Sequence, residues 1–272
     1  MLSKLFKYDM RSIKSRAIPV LLLIFLAMIL IGVEFGVMSL DINVPIVSTL
    51  IALTCPLLFL GVTAGAVILV ILVYMRYYNN LMTDEGYLSF TLPVTVQEHI
   101  WSKFFSAVLW FLILGAVTLA GLFGAVIIGG LIAGTTDIIP LIYSFIREVM
   151  VKAFEVVLSN NQAIAFAGVG FVLLCASGIL SIFKYFFAMT ISGGANKANV
   201  WKIILIVIVV NTAISTITGV LTSTVGGFIL NKVPGFNYTI YMMLISIIVD
   251  AAASVALFIL IKNKLQKNLN LN

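Results

Sequence analysis

The chain has 272 residues, of which 62% are hydrophobic and only 10% charged, with a formal net charge of +6 at pH 7. A soluble domain carries about 45–50% apolar and about 25% charged residues; this chain lacks the polar surface to cover a water-facing exterior, which excludes both a soluble globule and a disordered chain. What remains is an integral membrane protein whose solvent is mostly lipid, and its positive charge bears on topology, not on nucleic-acid binding.

Residues 1–16 are amphipathic: Leu2, Leu5, Phe6, Met10 and Ile13 follow helical spacing on one side, Lys4, Lys7, Arg11 and Lys14 on the other. A basic amphipathic helix beside a first span is expected in the inner interface, lysines toward anionic headgroups, as a topogenic anchor or as a mechanical coupling element. Six apolar runs follow, at 17–40, 46–75, 101–133, 163–191, 200–230 and 239–261. Each reaches the roughly 20 residues a helix needs to cross about 30 Å of hydrocarbon. They are continuous rather than alternating, which predicts helices and not membrane strands. Their excess length predicts tilt or extension beyond the bilayer. The first run is too long for a signal-peptide core and no small-x-small cleavage site follows it.

Glu34 falls in the outer part of span one. Span two carries Thr54, Pro56, Thr63 and the GxxxG pair Gly61 and Gly65; Gly130 and Gly134 form another such pair at the end of span three. Isolated GxxxG pairs read as close helix packing.

The inner segment 77–99 is too polar to span and too apolar for a free loop. Leu81, Tyr87, Leu88, Phe90, Leu92 and Val94 need burial against the interface or a partner protein. Thr83, Asp84 and Glu85 can open a short helix, with acidic groups at its positive end. Pro93 breaks it, because the residue before a proline is pushed out of the α region. Thr95 and Glu98 are spaced as a capping box, which predicts the start of the helix that becomes span three.

The outer segment 138–162 carries a polar stripe of Ser144, Glu148, Lys152, Glu155 and Ser159. Glu148 and Lys152 form an i,i+4 pair in the favourable order. Asn160 and Asn161 are read as the stop of this helix, which either lies on the surface linking spans three and four or gates a substrate.

Span five has two adjoining polar stripes, Asn211, Ser215, Thr218 and Thr222 beside Thr212, Thr216, Gly219 and Ser223. Such a face is expected to avoid lipid, as a packing surface or as the wall of a substrate path. Asp250 lies in span six, either satisfied within the bundle or acting as a proton or cation site. Asn211 is about 16 Å from the inner end of its span and Asp250 about 15 Å from the outer end of its own. Both therefore fall near the midplane of a core about 30 Å thick. Asp250 is expected to face Asn211.

With the N-terminus inside, thirteen of the sixteen Lys and Arg residues fall on the inner side and three, Arg147, Lys152 and Lys232, on the outer. The positive-inside rule then places both termini in the cytoplasm. The single histidine, His99, cannot build a histidine cluster, and Cys55 and Cys175 sit inside apolar runs as buried thiols. No Gly-Lys pair exists, so the chain carries no Walker A loop.

The run from Asp84 to Thr95, D-E-G-Y-L-S-F-T-L-P-V-T, with Trp101-Ser102-Lys103, Trp110 and the early Lys7-Tyr8-Asp9, resembles the permease subunits of type-2 ATP-binding-cassette exporters. It is most similar to a clade of small six-span permeases from Gram-positive bacteria. These show an acidic-Gly-Tyr-Leu-x-x-x-Leu-Pro-Val motif, a Ser-Lys entering the third span and an early Lys-Tyr-acidic element, and the resemblance covers essentially the whole chain. It implies a twelve-span core of two permeases, the same or related chains, with two separate ATPase subunits on the cytoplasmic face. ATP and magnesium would belong to those partners, and this chain would hold no cofactor or metal. By motif position Asp84, Glu85, Gly86, Tyr87 and Leu88 would contact the ATPase, and Pro93 would set the corner back to the membrane. In distantly related exporters the second and fifth spans line the central path, which makes Thr54, Thr63, Asn211, Ser215, Thr218 and Thr222 candidate path residues.

The expectation is an all-α polytopic membrane protein forming one permease domain over 1–272, with six spans plus amphipathic N-terminal, coupling and outer interfacial helices. It would be a non-enzymatic subunit in the bacterial cell membrane, exporting peptides, antimicrobial peptides included, or amphiphilic small molecules. The rival from a different class is a stand-alone secondary transporter coupled through Asp250 and Glu34. A membrane-embedded assembly or sensor protein is a third.

Overall fold

The computed structural model describes residues 2–40, 44–82, 86, 94–134, 140, 144, 147, 148, 155, 160–193, 200–230 and 236–269. The protein is a six-span, all-helical membrane protein: α1 (Leu2–Met38), α2 (Pro45–Met82), α3 (Val96–Ile132), α4 (Asn161–Ser192), α5 (Val200–Leu230) and α6 (Phe236–Leu269). All six are long and apolar enough to cross a bilayer, and no strand occurs among the described residues. At 1.5 Å per residue they measure roughly 46–57 Å, well beyond a core of about 30 Å.

Local sequence sets several helix ends. At the start of α3 the Thr95 amide donates to Glu98 Oε2 at 3.0 Å, and the Glu98 amide donates to Thr95 Oγ1 at 3.3 Å. This is the reciprocal capping box that the spacing predicts. Asn160, read from the sequence as a stop, is extended and also opens α4: its side chain accepts from the Gln162 amide at 2.9 Å. An Asx residue satisfies orphan donors at a helix start as readily as it interrupts a helix, so composition alone does not distinguish the two roles. The amphipathic first sixteen residues are the opening turns of α1, continuous with span one, with Pro19 carried inside the helix.

The chain forms two compact units. The first comprises Met1–Arg76 and Trp101–Lys152, the second Tyr77–Ile100 and Ala153–Asn272. In the first unit, α1 buries a stripe running most of its length: Asp9, Ile13, Ala17, Leu21, Ile24, Ile31, Gly32 and Gly36. Near its far end it meets α3 backbone to backbone. A Cβ on Gly32 would run into the Ala125 backbone, and one on Gly36 would lie 2.7 Å from the Gly129 carbonyl oxygen. Gly32-x-x-x-Gly36 against Ala125-x-x-x-Gly129 is thus the small-residue crossing that membrane helices use in place of hydrophobic collapse. Neither pair was singled out in the sequence. Of those that were, Gly61 and Gly134 have no described atom within 4 Å of an added Cβ, and Gly65 meets the side chains of Ile24 and Val20.

In the second unit α4, α5 and α6 pack on one another, most extensively α4 on α6. Phe183 meets Phe258 edge-on at 5.9 Å between centroids. Tyr77, from the last turns of α2, stacks on Phe186 at 4.0 Å, and its hydroxyl hydrogen-bonds with that of Thr190 at 2.7 Å. α5 leaves most of its surface exposed, including Trp201, Leu205, Val209 and Val220.

Candidate functional site

A buried polar cluster in the first unit centres on Asp9, only 2% exposed. Ser102 Oγ donates to its Oδ2 at 2.7 Å, Lys103 Nζ donates to its Oδ1, and Arg76 Nε stands 3.5 Å from the same oxygen. The cluster draws on three elements. Asp9 sits on the apolar side of the N-terminal turns, in register with Ile13 and Ala17; Arg76 ends the first unit's part of α2; Ser102 and Lys103 begin its part of α3. An ionised carboxylate in such a place is costly unless charges and donors surround it. Two cations and a hydroxyl do so here. The two sequence elements Lys7-Tyr8-Asp9 and Trp101-Ser102-Lys103 thus meet at one buried centre through Asp9, while Tyr8 is exposed. Sequence reasoning left Asp9, Arg76 and Lys103 out of its candidate sites. The available signal was an acidic residue on the apolar face of an otherwise basic amphipathic segment.

In the same unit Thr54 Oγ1 donates to Glu34 Oε1 at 2.5 Å, and the Cys55 thiol lies within hydrogen-bond reach of the same carboxylate. Glu34 Oε2 is buried and has no hydrogen-bond partner among the described residues. Thr54, expected on a substrate path, is therefore engaged with Glu34. Thr63 is exposed and donates to the Leu60 carbonyl of its own helix at 3.0 Å.

The second unit holds a different polar group. Lys184 of α4 donates to Asn211 Oδ1 of α5 at 2.9 Å. It also lies close enough to Asp250 of α6 for the two charges to interact. Asn211 thus binds the Lys184 ammonium directly, whereas Asp250 feels its charge without an ion pair within 4.0 Å. Lys184 was counted in the sequence only as an inner topogenic charge. Its place seven residues inside the apolar run that ends at Ile191 was the signal that it belongs to the bundle.

The rest of the α5 stripe is satisfied within its own helix. Thr212, Thr218 and Thr222 donate to the carbonyls of Ile208, Ile214 and Thr218 at 3.0, 2.9 and 2.8 Å. Hydroxyls bonded to the preceding turn can sit in lipid or face a partner without loss. Asn211 and Ser215 are exposed, and Thr218 and Thr222 are half-buried.

Of the expected ATPase contacts, Gly86 alone is described, and it is helical. A Cβ there would lie 2.9 Å from the Leu81 carbonyl oxygen. Asp84, Glu85, Tyr87, Leu88 and Pro93 lie outside the described residues, as do Lys152 and Ser159 of the outer stripe. Comparison with family models, curated proteins and solved structures gives no match.

Proposed function

We propose that the chain is the permease subunit of an ATP-driven exporter, pairing with a second permease and driven by a separate ATPase on the cytoplasmic face of a bacterial cell membrane. The observation that carries this reading is the Asp9 cluster. Two of the sequence elements behind the resemblance, Lys7-Tyr8-Asp9 and Trp101-Ser102-Lys103, are far apart in the chain yet meet at Asp9. Arg76 and Lys103 also stand at the two ends of the segment expected to dock on the ATPase, which belongs as Tyr77–Ile100 to the second unit. A short segment anchored on both sides suits the conversion of a partner's closure into helix movement. Amphiphilic peptides or small molecules remain the proposed cargo, since the spans hold no concentrated charge suited to a hydrophilic one.

The test is co-purification with the candidate ATPase in mild detergent, followed by ATP turnover. Glu85→Lys and Tyr87→Ala should lower association or stimulated turnover by about tenfold, the effect of removing one good anchor from an interface, with membrane insertion intact. Normal assembly and turnover in both variants would remove this segment as the coupling site.

One observation favours ion-coupled secondary transport instead: within the spans Lys184 hydrogen-bonds Asn211 and lies near Asp250, and intramembrane ionisable residues commonly mark ion pathways. Asp250→Asn separates the readings. Under the exporter reading, ATP-driven flux in vesicles persists; under the rival, flux driven by an ion gradient is lost.

A further inference from the structure

Lys184, Asn211 and Asp250 stand on three helices of the second unit, α4, α5 and α6. Lys184 lies about 10 Å along its helix from the inner end of the apolar run at Ile191. A lysine at that depth ordinarily snorkels its ammonium back to the headgroups. Here the ammonium instead bonds Asn211, about 16 Å from the inner end of its own span, and is held away from the interface.

The group has unused capacity of both signs. An ammonium carries three donors, and the bond to Asn211 Oδ1 at 2.9 Å uses one. With Oδ1 so engaged, the Asn211 amide still offers its N–H donors, and the residue is exposed. Ser215, one turn on, adds an exposed hydroxyl to the same face. Asp250 is half-buried. Its backbone carbonyl accepts from Ser254 Oγ at 2.7 Å, whereas its carboxylate has no hydrogen bond and no cation within 4.0 Å among the described residues. Opposite charges left short of partners are costly within a membrane. A purely anionic head would satisfy the donors and meet the like charge of Asp250; a purely cationic head would do the reverse at Lys184. A head bearing both an anionic group and an ammonium answers both. Ile204 and Ile208 lie on the Asn211 face toward the inner end of α5 and are exposed, so an apolar tail has a surface to follow. A bilayer phospholipid does not fit, because its head stays at the interface, about 15 Å from the middle of the core.

We propose that Lys184, Asn211 and Asp250 bind the zwitterionic head of a membrane-partitioned, single-chain amphiphile, its anionic group on Lys184 and Asn211, its ammonium on Asp250 and its tail along Ile204 and Ile208. The site rests on the second unit alone and on neither transport reading, so binding is measured apart from flux.

The full chain, held in micelles of an uncharged maltoside detergent, is titrated with N-dodecylglycine, dodecylamine, dodecanoate and dodecanol and read by native mass spectrometry. Hydrogen bonds to charged groups set the scale of preference, so the wild-type chain should bind the zwitterion at least about tenfold more tightly than either singly charged probe. Lys184→Met should bring N-dodecylglycine down to the level of dodecylamine, and Asp250→Asn should bring it down to that of dodecanoate, with dodecanol unchanged in both. Lys184→Arg, which keeps the charge, should retain the advantage. Equal binding of the zwitterion and either singly charged probe by the wild-type chain would overturn the proposal without recourse to any variant. So would an advantage that survives Lys184→Met or Asp250→Asn.

Discussion

Asp9 is the residue whose environment departs furthest from what its type prefers. It is an acid on a basic segment, buried to 2%, and held by groups up to 94 residues away along the chain. Removing one partner of a buried ion cluster typically costs about 3–5 kcal/mol, because the remaining charges stay desolvated. Asp9→Ala should therefore lower the thermal midpoint in detergent strongly. Asp9→Leu combined with Lys103→Met should recover most of the loss, since a packed apolar pair can replace a buried ionic one at little cost. An Asp9→Ala protein as stable as wild type would mean that the cluster contributes nothing to the fold. The acid and the Ser-Lys pair were both visible as sequence elements, but their meeting was not. Long-range pairing is decided by how α1 lies against α2 and α3, and helical periodicity carries no such information. Lys184 illustrates the same limit in reverse. A lysine near the end of a span is ordinarily a topological marker, and only the proximity of Asn211 and Asp250 makes it part of a bundle.

At the scale of elements, what is local in the chain was legible. Six apolar runs give six helices, and Thr95 with Glu98 starts α3 as its spacing requires. Which small residues would face another helix was not legible, because GxxxG describes one face and says nothing of what opposes it. The two kinds of glycine should respond oppositely to substitution. Gly32→Leu forces side-chain atoms into the Ala125 backbone, which cannot swing aside, and overpacking of this sort costs about 1–3 kcal/mol or more. Gly61→Ala meets nothing within 4 Å and exchanges a poor helix former for the best one, a gain of up to about 1 kcal/mol. Unfolding of the purified variants measures both. A destabilising Gly61→Ala would show that this face is covered in the assembled protein, and a neutral Gly32→Leu would show that α1 and α3 do not cross where these distances place them.

For the whole molecule, the decisive quantity is the side of the membrane on which the basic ends lie. Thirteen Lys and Arg residues fall on one side and three on the other. Reassigning Lys184 to the interior of the second unit leaves twelve against three, so the asymmetry survives its largest correction. Lys4, Lys7, Arg11 and Lys14 are exposed along the first turns of α1, available to anionic headgroups, while Asp9 is turned inward. On the proposed orientation the N-terminus and residues 77–99 lie in the cytoplasm, where an ATPase could act on them. In a chain whose Cys55 and Cys175 are replaced by alanine, single cysteines at Ser3 and Glu155, both exposed, report opposite sides. A membrane-impermeant maleimide should label Glu155→Cys and not Ser3→Cys in intact cells, and the pattern should reverse in inside-out vesicles. The opposite result would turn the protein over, move segment 77–99 away from ATP and remove the exporter reading. The Asp9 cluster would remain as a property of the first unit alone.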